Sequence, residues 1–402
     1  MKITAVETVR LGEFPNLLWV RLRTDEGLHG LGETFMGAAA VEAYIHEYAG
    51  PRLIGQDPLR NEWLARHLTG YLGWRGAGAE TRGNSAIDLA LWDLKGKAWG
   101  QPVYGLLGGP FRERVRVYNT CAGYRYIRDT KLQQVDNWGL DRGTGAAEGP
   151  YEDLDAFLHR ADELALSLAA EGYTGMKIWP FDEYAEGSNG TRISPADLKK
   201  ALAPFEKIRR AVGDDMDIHV EFHSLWDLPT AIEIAQALAP YRPYWFEDPI
   251  KMTNLDALAD YRRRTNVRVT ASETLGTRWA FRELFERQAT SVAMLDVAWC
   301  GGISEAKKIA TMAEAYHLPI APHDCTGPVV LTASVHLALN CPNALVQEVV
   351  RAFYSDWYRE LVTALPPLDQ GFIAAPGGAG LGIDLLPDLV RRPDATVRTS
   401  RL

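Results

Sequence analysis

Two periodicities divide the chain. Over residues 1–115, MKITAVETVRL (1–11) and NLLWVRLRTDEGLHGLGETF (16–35) carry strand-like alternation, with a hairpin turn at Asp25-Glu26-Gly27. Apolar residues at helical spacing follow in AAVEAYIHEYAGPRLIG (39–55), PLRNEWLARHLTGYL (58–72) and SAIDLALWDLKGKAWG (85–100). The last of these is stopped by Gly100-Gln101-Pro102. These patterns predict a small α+β domain. From about residue 116 the pattern changes to short apolar runs separated by amphipathic helical segments. The predicted strands are VRVYNTC (115–121), GMKIW (175–179), DIHVEF (217–222), YWFE (244–247), VRVTAS (267–272), SVAMLD (291–296), LPIAP (318–322) and LVQEV (345–349). Eight strands alternating with helices imply an α/β architecture with a parallel sheet, most simply closed as a modified TIM barrel. A doubly wound open sheet is the alternative, and it lacks the G-x-G-x-x-G that would follow its first strand.

This predicts an N-terminal α+β capping domain over 1–115 and a barrel catalytic domain over 116–364. The tail 365–402, with its Pro/Gly stretch PPLDQGFIAAPGGAGLGI and no clear helix, is expected to wrap back onto the first domain. Two insertions, 123–152 and 180–194, follow the first and second barrel strands, which puts them at the catalytic mouth of such a barrel.

Composition narrows the function. Hydrophobic content of 47% and charged content of 24% are ordinary for a globular enzyme, and the formal net charge is −9. That charge opposes nucleic acid or an anionic membrane as partner, since both call for a basic footprint. The four cysteines, Cys121, Cys300, Cys325 and Cys341, form no C-x-x-C pair or disulfide framework and fit a reducing compartment. The N-terminus lacks an apolar core of signal-peptide length, and no apolar run approaches the roughly 18 residues of a membrane span. A cytoplasmic enzyme acting on a small molecule is expected.

The strand ends carry the chemistry. Glu221 ends the third barrel strand, Glu247 ends the fourth in WFEDP, and Glu273 sits just past the fifth; successive members are 26 residues apart. A β/α unit is about 30 residues long, so each carboxylate falls at one phase of the repeat. Three converging carboxylates repel unless a cation lies between them, and oxygen-only ligation favours Mg2+. Asp296, His323 and Glu348 continue the series at intervals of 23, 27 and 25 residues. An Asp–His pair on adjacent strands makes a general base. His317 and His336 lie outside the series and read as structural. In VEFHS (220–224), strand alternation would point Glu221 and His223 to one face and Phe222 to the other. Lys177 and Trp179 hold the equivalent place on the second strand, where a lysine would receive a substrate carboxylate or pair with a neighbouring acid.

With these motifs the chain resembles the enolase superfamily and, within it, the mandelate racemase-like branch. SAIDLALWDLKGKAWGQPVYGLLGG, WFEDP and GGISEAKKIA followed by APHDCTGPV carry the resemblance, which spans nearly the whole chain. It implies a (β/α)7β barrel, one Mg2+ per subunit, a homo-oligomer, and abstraction of the proton α to a substrate carboxylate. Racemases of the branch carry K-x-K on the second strand, whereas here the segment is Lys177-Ile178-Trp179. Acid-sugar dehydratases, acting on galactonate or gluconate, are similar in carrying an acid-x-His pair on the third strand. That resemblance assigns Glu221, Glu247 and Glu273 to the metal, Asp296–His323 to removal of the 2-proton, and His223 to protonation of the departing 3-hydroxyl. Glu348 would hydrogen-bond the substrate carboxylate and be protonated or strongly coupled to its neighbours. Lys177, Trp179 and Glu33 would contact substrate. The stretch Gly32–Gly37 and the neighbourhood of Tyr71 to Trp74 would close the mouth. Two departures stand out: Glu221 replaces the usual Asp, and Trp179 replaces the Asp of K-x-D-P-F. The same enediolate chemistry would also serve a racemase, epimerase or cycloisomerase. A purely non-catalytic barrel would be expected to show an incomplete series.

Overall fold

A computed structural model describes residues 1–70, 78–124, 126–128 and 151–401. The first stretch forms three antiparallel strands, β1 (Ile3–Leu11), β2 (Phe14–Thr24) and β3 (His29–Phe35), with Gly27 in the left-handed region at the predicted turn. Eight strands follow: β4 (Val115–Thr120), β5 (Gly175–Ile178), β6 (Asp217–Glu221), β7 (Trp245–Glu247), β8 (Val269–Ala271), β9 (Val292–Leu295), β10 (Ile320–Pro322) and β11 (Gln347–Val349). The short β12 (Leu368–Asp369) and β13 (Phe372–Ile373) pair with each other, and β13 also pairs with β4. The last strand, β14 (Ala395–Arg401), returns to pair antiparallel with β1, so the tail completes the first sheet in the order β14-β1-β2-β3.

Strands β4 to β10 pair in parallel in chain order, and β11 pairs with β4. A bridge between Ile320 and Ala344 ties the segment entering β11 to β10, which closes the circle. Among the described residues, helices cross over after each of β4 to β10, whereas β11 is followed by the five-residue helix Arg351–Ser355 and the 3-10 turn Trp357–Glu360, with no crossover to another barrel strand. The architecture is therefore (β/α)7β, a modified TIM barrel. No helix among the described residues is long and apolar enough to cross a membrane.

Strands β1 to β3 of the first sheet are largely buried on both faces, and β2 shows why its sequence is so apolar. Leu17 and Trp19 join the core shared with the barrel, while Leu18, Val20 and Leu22 join a separate core under the helices of the first unit. The helix Ala79–Trp99, which begins six residues before its predicted start and ends at a left-handed Gly100, packs across β3. Close approach is possible because β3 carries glycine: a Cβ on Gly32 would lie 1.9 Å from the Ala86 carbonyl oxygen. Docking on the barrel is polar as well. Thr34 Oγ1 donates to the Ala298 carbonyl (3.1 Å), and Trp92 Nε1 donates to Ser304 Oγ (2.8 Å).

Inside the barrel, alternation builds two layers. Tyr118, His219 and Trp245, with Val292, Met294, Ala321 and Val346, plug the lower end; the His219 ring centroid lies 4.4 Å from that of Tyr118 and 3.8 Å from that of Trp245. Two residues further along the same strands, on the same face, come Thr120, Glu221, Glu247, Asp296, His323 and Glu348. The plug is thus the floor of a polar layer at the strands' C-terminal ends.

Gly32→Ala is expected to destabilise the fold by about 2–3 kcal/mol, because backbone lies on both sides of the clash and neither can yield cheaply. Urea unfolding checks this; an unchanged midpoint would show that the sheet–helix contact tolerates a methyl group.

Candidate active site

Glu221, Glu247 and Glu273 offer carboxylate oxygens that all lie within 4.8 Å of one another. Glu221 and Glu247 are in register on neighbouring strands, and Glu273 lies two residues beyond β8. Burial raises Glu221 to about 8, and burial with the nearby Glu221 pushes Glu247 well above the carboxylate range. Lys177 is the counter-charge: its Nζ lies 2.8 Å from Glu247 Oε1, 2.8 Å from Glu348 Oε1 and 3.5 Å from Glu221 Oε2. Among the described residues, the buried Glu221 Oε2 has the Lys177 ammonium near it, at 3.5 Å, and no hydrogen bond of ordinary geometry. Three hard oxygen donors converging at the strand ends fit a divalent cation of the Mg2+ class.

Two Asp–His pairs flank this cluster. His323 Nδ1 is 2.7 Å from Asp296 Oδ2, and its Nε2 is 3.0 Å from Glu273 Oε2. Burial pulls the ring's pKa down, but Glu273, Glu348 and Asp296 outweigh it and hold the imidazole well above its ordinary range. The same contact holds Glu273 down at about 2 against the opposing effect of burial. Glu273 is thus shared between the carboxylate cluster and the ring. The second pair was not read from the sequence: His223 Nδ1 is 2.6 Å from Asp182 Oδ2. Burial acts downward on His223 too, and Asp182 outweighs it. Asp182 is itself buried and comes from the short 3-10 turn Asp182–Tyr184 inside the 180–194 insertion. The Trp179 ring meets His223 edge-on, with centroids 5.7 Å apart.

His223 does not reach the site by strand alternation, as VEFHS suggested. Strand β6 ends at Glu221, and His223 and Ser224 both take left-handed backbone, with φ of 46° and 58°. Glu221 Oε1 accepts from the backbone N–H groups of Phe222 (2.9 Å) and His223 (2.6 Å), which fixes the turn. Glu221, a member of the carboxylate cluster, therefore organises the turn that carries the histidine.

Glu348 sits in the polar layer, beside Lys177. Burial acts upward, and Lys177 and His323 hold it below the ordinary carboxylate value. Its Oε2 accepts from the Asp324 N–H (2.9 Å), and Thr120 Oγ1 donates to its Oε1. Glu33 is not at the cavity. It is fully buried where the sheet of the first unit meets the helix Pro328–Asn340, accepting from Trp19 Nε1 (2.6 Å) and from the Val330 N–H (3.0 Å). It joins the two units. Tyr71 to Trp74 and most of 123–152 lie outside the described residues.

The cavity is about 260 Å³, suited to a small ligand. Lys177, Trp179, His223, Glu273 and His323 line its barrel side, and Phe35, Met36 and Arg82 line it from the first unit. Arg82 was also missed; it leaves the helix Ala79–Trp99 in its first turn, where helical register alone marks no function.

Residues 3–108 match the mandelate racemase / muconate lactonizing enzyme N-terminal domain, and residues 159–389 match the enolase C-terminal domain-like family. The chain is 32% identical over 399 residues to a D-galactonate dehydratase of Ralstonia nicotianae, covering 97% of this chain and 94% of that one. A crystal structure of an enolase of the mandelate racemase subgroup from Agrobacterium tumefaciens is 55% identical with a TM-score of 0.88, covering 100% of this chain and 99% of that one. An enolase protein from Sargasso Sea environmental sequencing is 43% identical with a TM-score of 0.88, at 100% and 99% coverage.

Removing Lys177 should expose the repulsion it offsets. With chelator present, Lys177→Met is expected to be less stable than the parent by about 3–5 kcal/mol at pH 9. The deficit should shrink toward pH 5. A carboxyl whose folded pKa lies above its unfolded value keeps its stability at low pH and loses it as pH rises through the folded value, here about 8 for Glu221. Urea unfolding at the two pH values checks this; an equal deficit at both would contradict the electrostatic role.

Proposed function

Since the chain is an enzyme of the mandelate racemase / muconate lactonizing enzyme family, with an enolase-like C-terminal domain, we propose that it dehydrates a sugar acid to a 2-keto-3-deoxy acid. One observation carries this reading: two Asp–His pairs, His323–Asp296 and His223–Asp182, stand after strands β10 and β6, four strands apart in an eight-stranded barrel, with the carboxylate cluster between them. An α,β-elimination needs such a division, a base on one side of the reacting carbons and an acid on the other. The D-galactonate dehydratases at about a third identity support the same class.

In this reading residues 1–115 with the tail 365–402 act as cap, and 116–364 as catalytic barrel. Glu221, Glu247 and Glu273 would hold one Mg2+ per chain, which supplies Lewis-acid stabilisation of the charge that develops on the substrate carboxylate when the α-proton leaves. Lys177 orients the same carboxylate from the β5 side, held in place by Glu348. His323 Nε2 takes the proton from C2, while Asp296 fixes the tautomer through Nδ1. His223 delivers a proton to the 3-hydroxyl as it departs, with Asp182 fixing its ring in the same way. Trp179 and Phe35 keep water from the reacting carbons.

Opposed imidazoles also suit epimerisation at C2, and the products separate the two. Purified protein with Mg2+ should release a 2-keto acid from at least one member of an acid-sugar library, and chelation should stop it. His323→Asn should lower kcat by about 10³-fold or more. His223→Asn should lose dehydration yet still exchange the C2 proton with deuterated solvent. Turnover that survives His323→Asn contradicts the base assignment, and C2 epimer without keto acid would make the enzyme an epimerase.

A further inference from the structure

The wall that the first unit contributes to the cavity differs in kind from the barrel's. Among the described residues it consists of Phe35, Met36 and Arg82, two apolar side chains and one cation. No hydroxyl or amide side chain stands among those three to read neutral sugar hydroxyls. Arg82 is also held in place. Its Nη1 donates to the Phe35 carbonyl (2.7 Å), and its guanidinium lies 4.4 Å from the centroid of the Trp299 ring. Trp299 in turn donates through Nε1 to the same Phe35 carbonyl (3.1 Å), and its ring centroid is 5.4 Å from that of His323. The guanidinium is therefore fixed by a backbone oxygen and an aromatic plane rather than swinging on a free stem. Among the described residues, Asp296 and Glu273 are acids whose field reaches it.

A preorganised guanidinium keeps its charge when buried and presents parallel N–H donors that match the two oxygens of a carboxylate. A sugar hydroxyl uses neither the charge nor the fork. At the barrel end of the cavity, Lys177 and the cluster of Glu221, Glu247 and Glu273 receive the carboxylate next to the reacting carbons. A cation on the cap wall then calls for an anion at the other end of the chain.

We propose that Arg82 is a specificity residue binding a second, distal carboxylate, so that the substrates are aldarates, sugar diacids, in preference to aldonates. This rests on reading the cavity as a dehydratase site, and the test separates the two ideas. The full sets of hexarate and hexonate epimers are assayed with Mg2+, for keto-acid release and for thermal shift, on the wild type, Arg82→Met and Arg82→Lys. The wild type should prefer a hexarate over the hexonate of matching configuration by about 100-fold or more in kcat/KM. In Arg82→Met that ratio should collapse toward one, and Arg82→Lys, which keeps the charge but not the fork, should fall between. Hexonates turned over with hexarates ignored would overturn this inference and leave dehydration standing. Hexarates that raise the melting temperature of the wild type but not of Arg82→Met, without turnover of either class, would support the subsite and overturn the reaction. Neither binding nor turnover of either class would overturn both, and an unaltered preference in Arg82→Met would overturn the role of Arg82.

Discussion

Three carboxylates, Glu221 and Glu247 buried and Glu273 partly so, bring oxygens within 4.8 Å of one another and set the terms for everything at the barrel mouth. At such separations in a low-dielectric interior, like charges repel by several kcal/mol. The chain meets this with Lys177 between Glu247 and Glu348, and with His323 against Glu273. Each counter-ion also has a role in the proposed chemistry, Lys177 in orienting the substrate carboxylate and His323 as base, so the charges that make the site tolerable are those that would make it useful. A divalent cation in the cluster would draw on Glu273 and loosen its hold on His323, moving the imidazole toward the neutral form a base requires.

Holding such a site demands a rigid frame. The aromatic plug of Tyr118, His219 and Trp245 sits one alternation below the polar layer, so the strands cannot shift without breaking tight packing. Above it, the first unit is fastened to the barrel by Glu33 at the start of the helix Pro328–Asn340 and by the Thr34–Ala298 and Trp92–Ser304 hydrogen bonds. That fastening places Phe35, Met36 and Arg82 over the cavity. In the proposed reading the cap would contribute recognition while the barrel would hold the reacting groups.

What was legible in the sequence followed from periodicity. Alternating strands and helices gave the barrel, and the 26-residue rhythm of Glu221, Glu247 and Glu273 gave the cluster, because strand ends at one phase must meet in a closed barrel. The residues that escaped lie off that rhythm. His223 arrives through a left-handed turn, not a strand. Asp182 belongs to an insertion 41 residues upstream of its partner, and no local pattern pairs the two. Arg82 looks like any solvated residue in a helix. Glu33 also has partners that no local pattern marks: a carboxylate in a glycine-rich stretch beside the mouth reads as a ligand contact, whereas its two oxygens are engaged by Trp19 and Val330.

The cation site is the claim on which the rest depends, and diffraction from crystals soaked in Mn2+, a stand-in for Mg2+ with strong anomalous scattering, tests it most directly. The account predicts one anomalous peak per chain, about 2.0–2.2 Å from an oxygen of each of Glu221, Glu247 and Glu273. No peak there, or a peak coordinated by other residues while these three stay paired with Lys177 and His323, would contradict it.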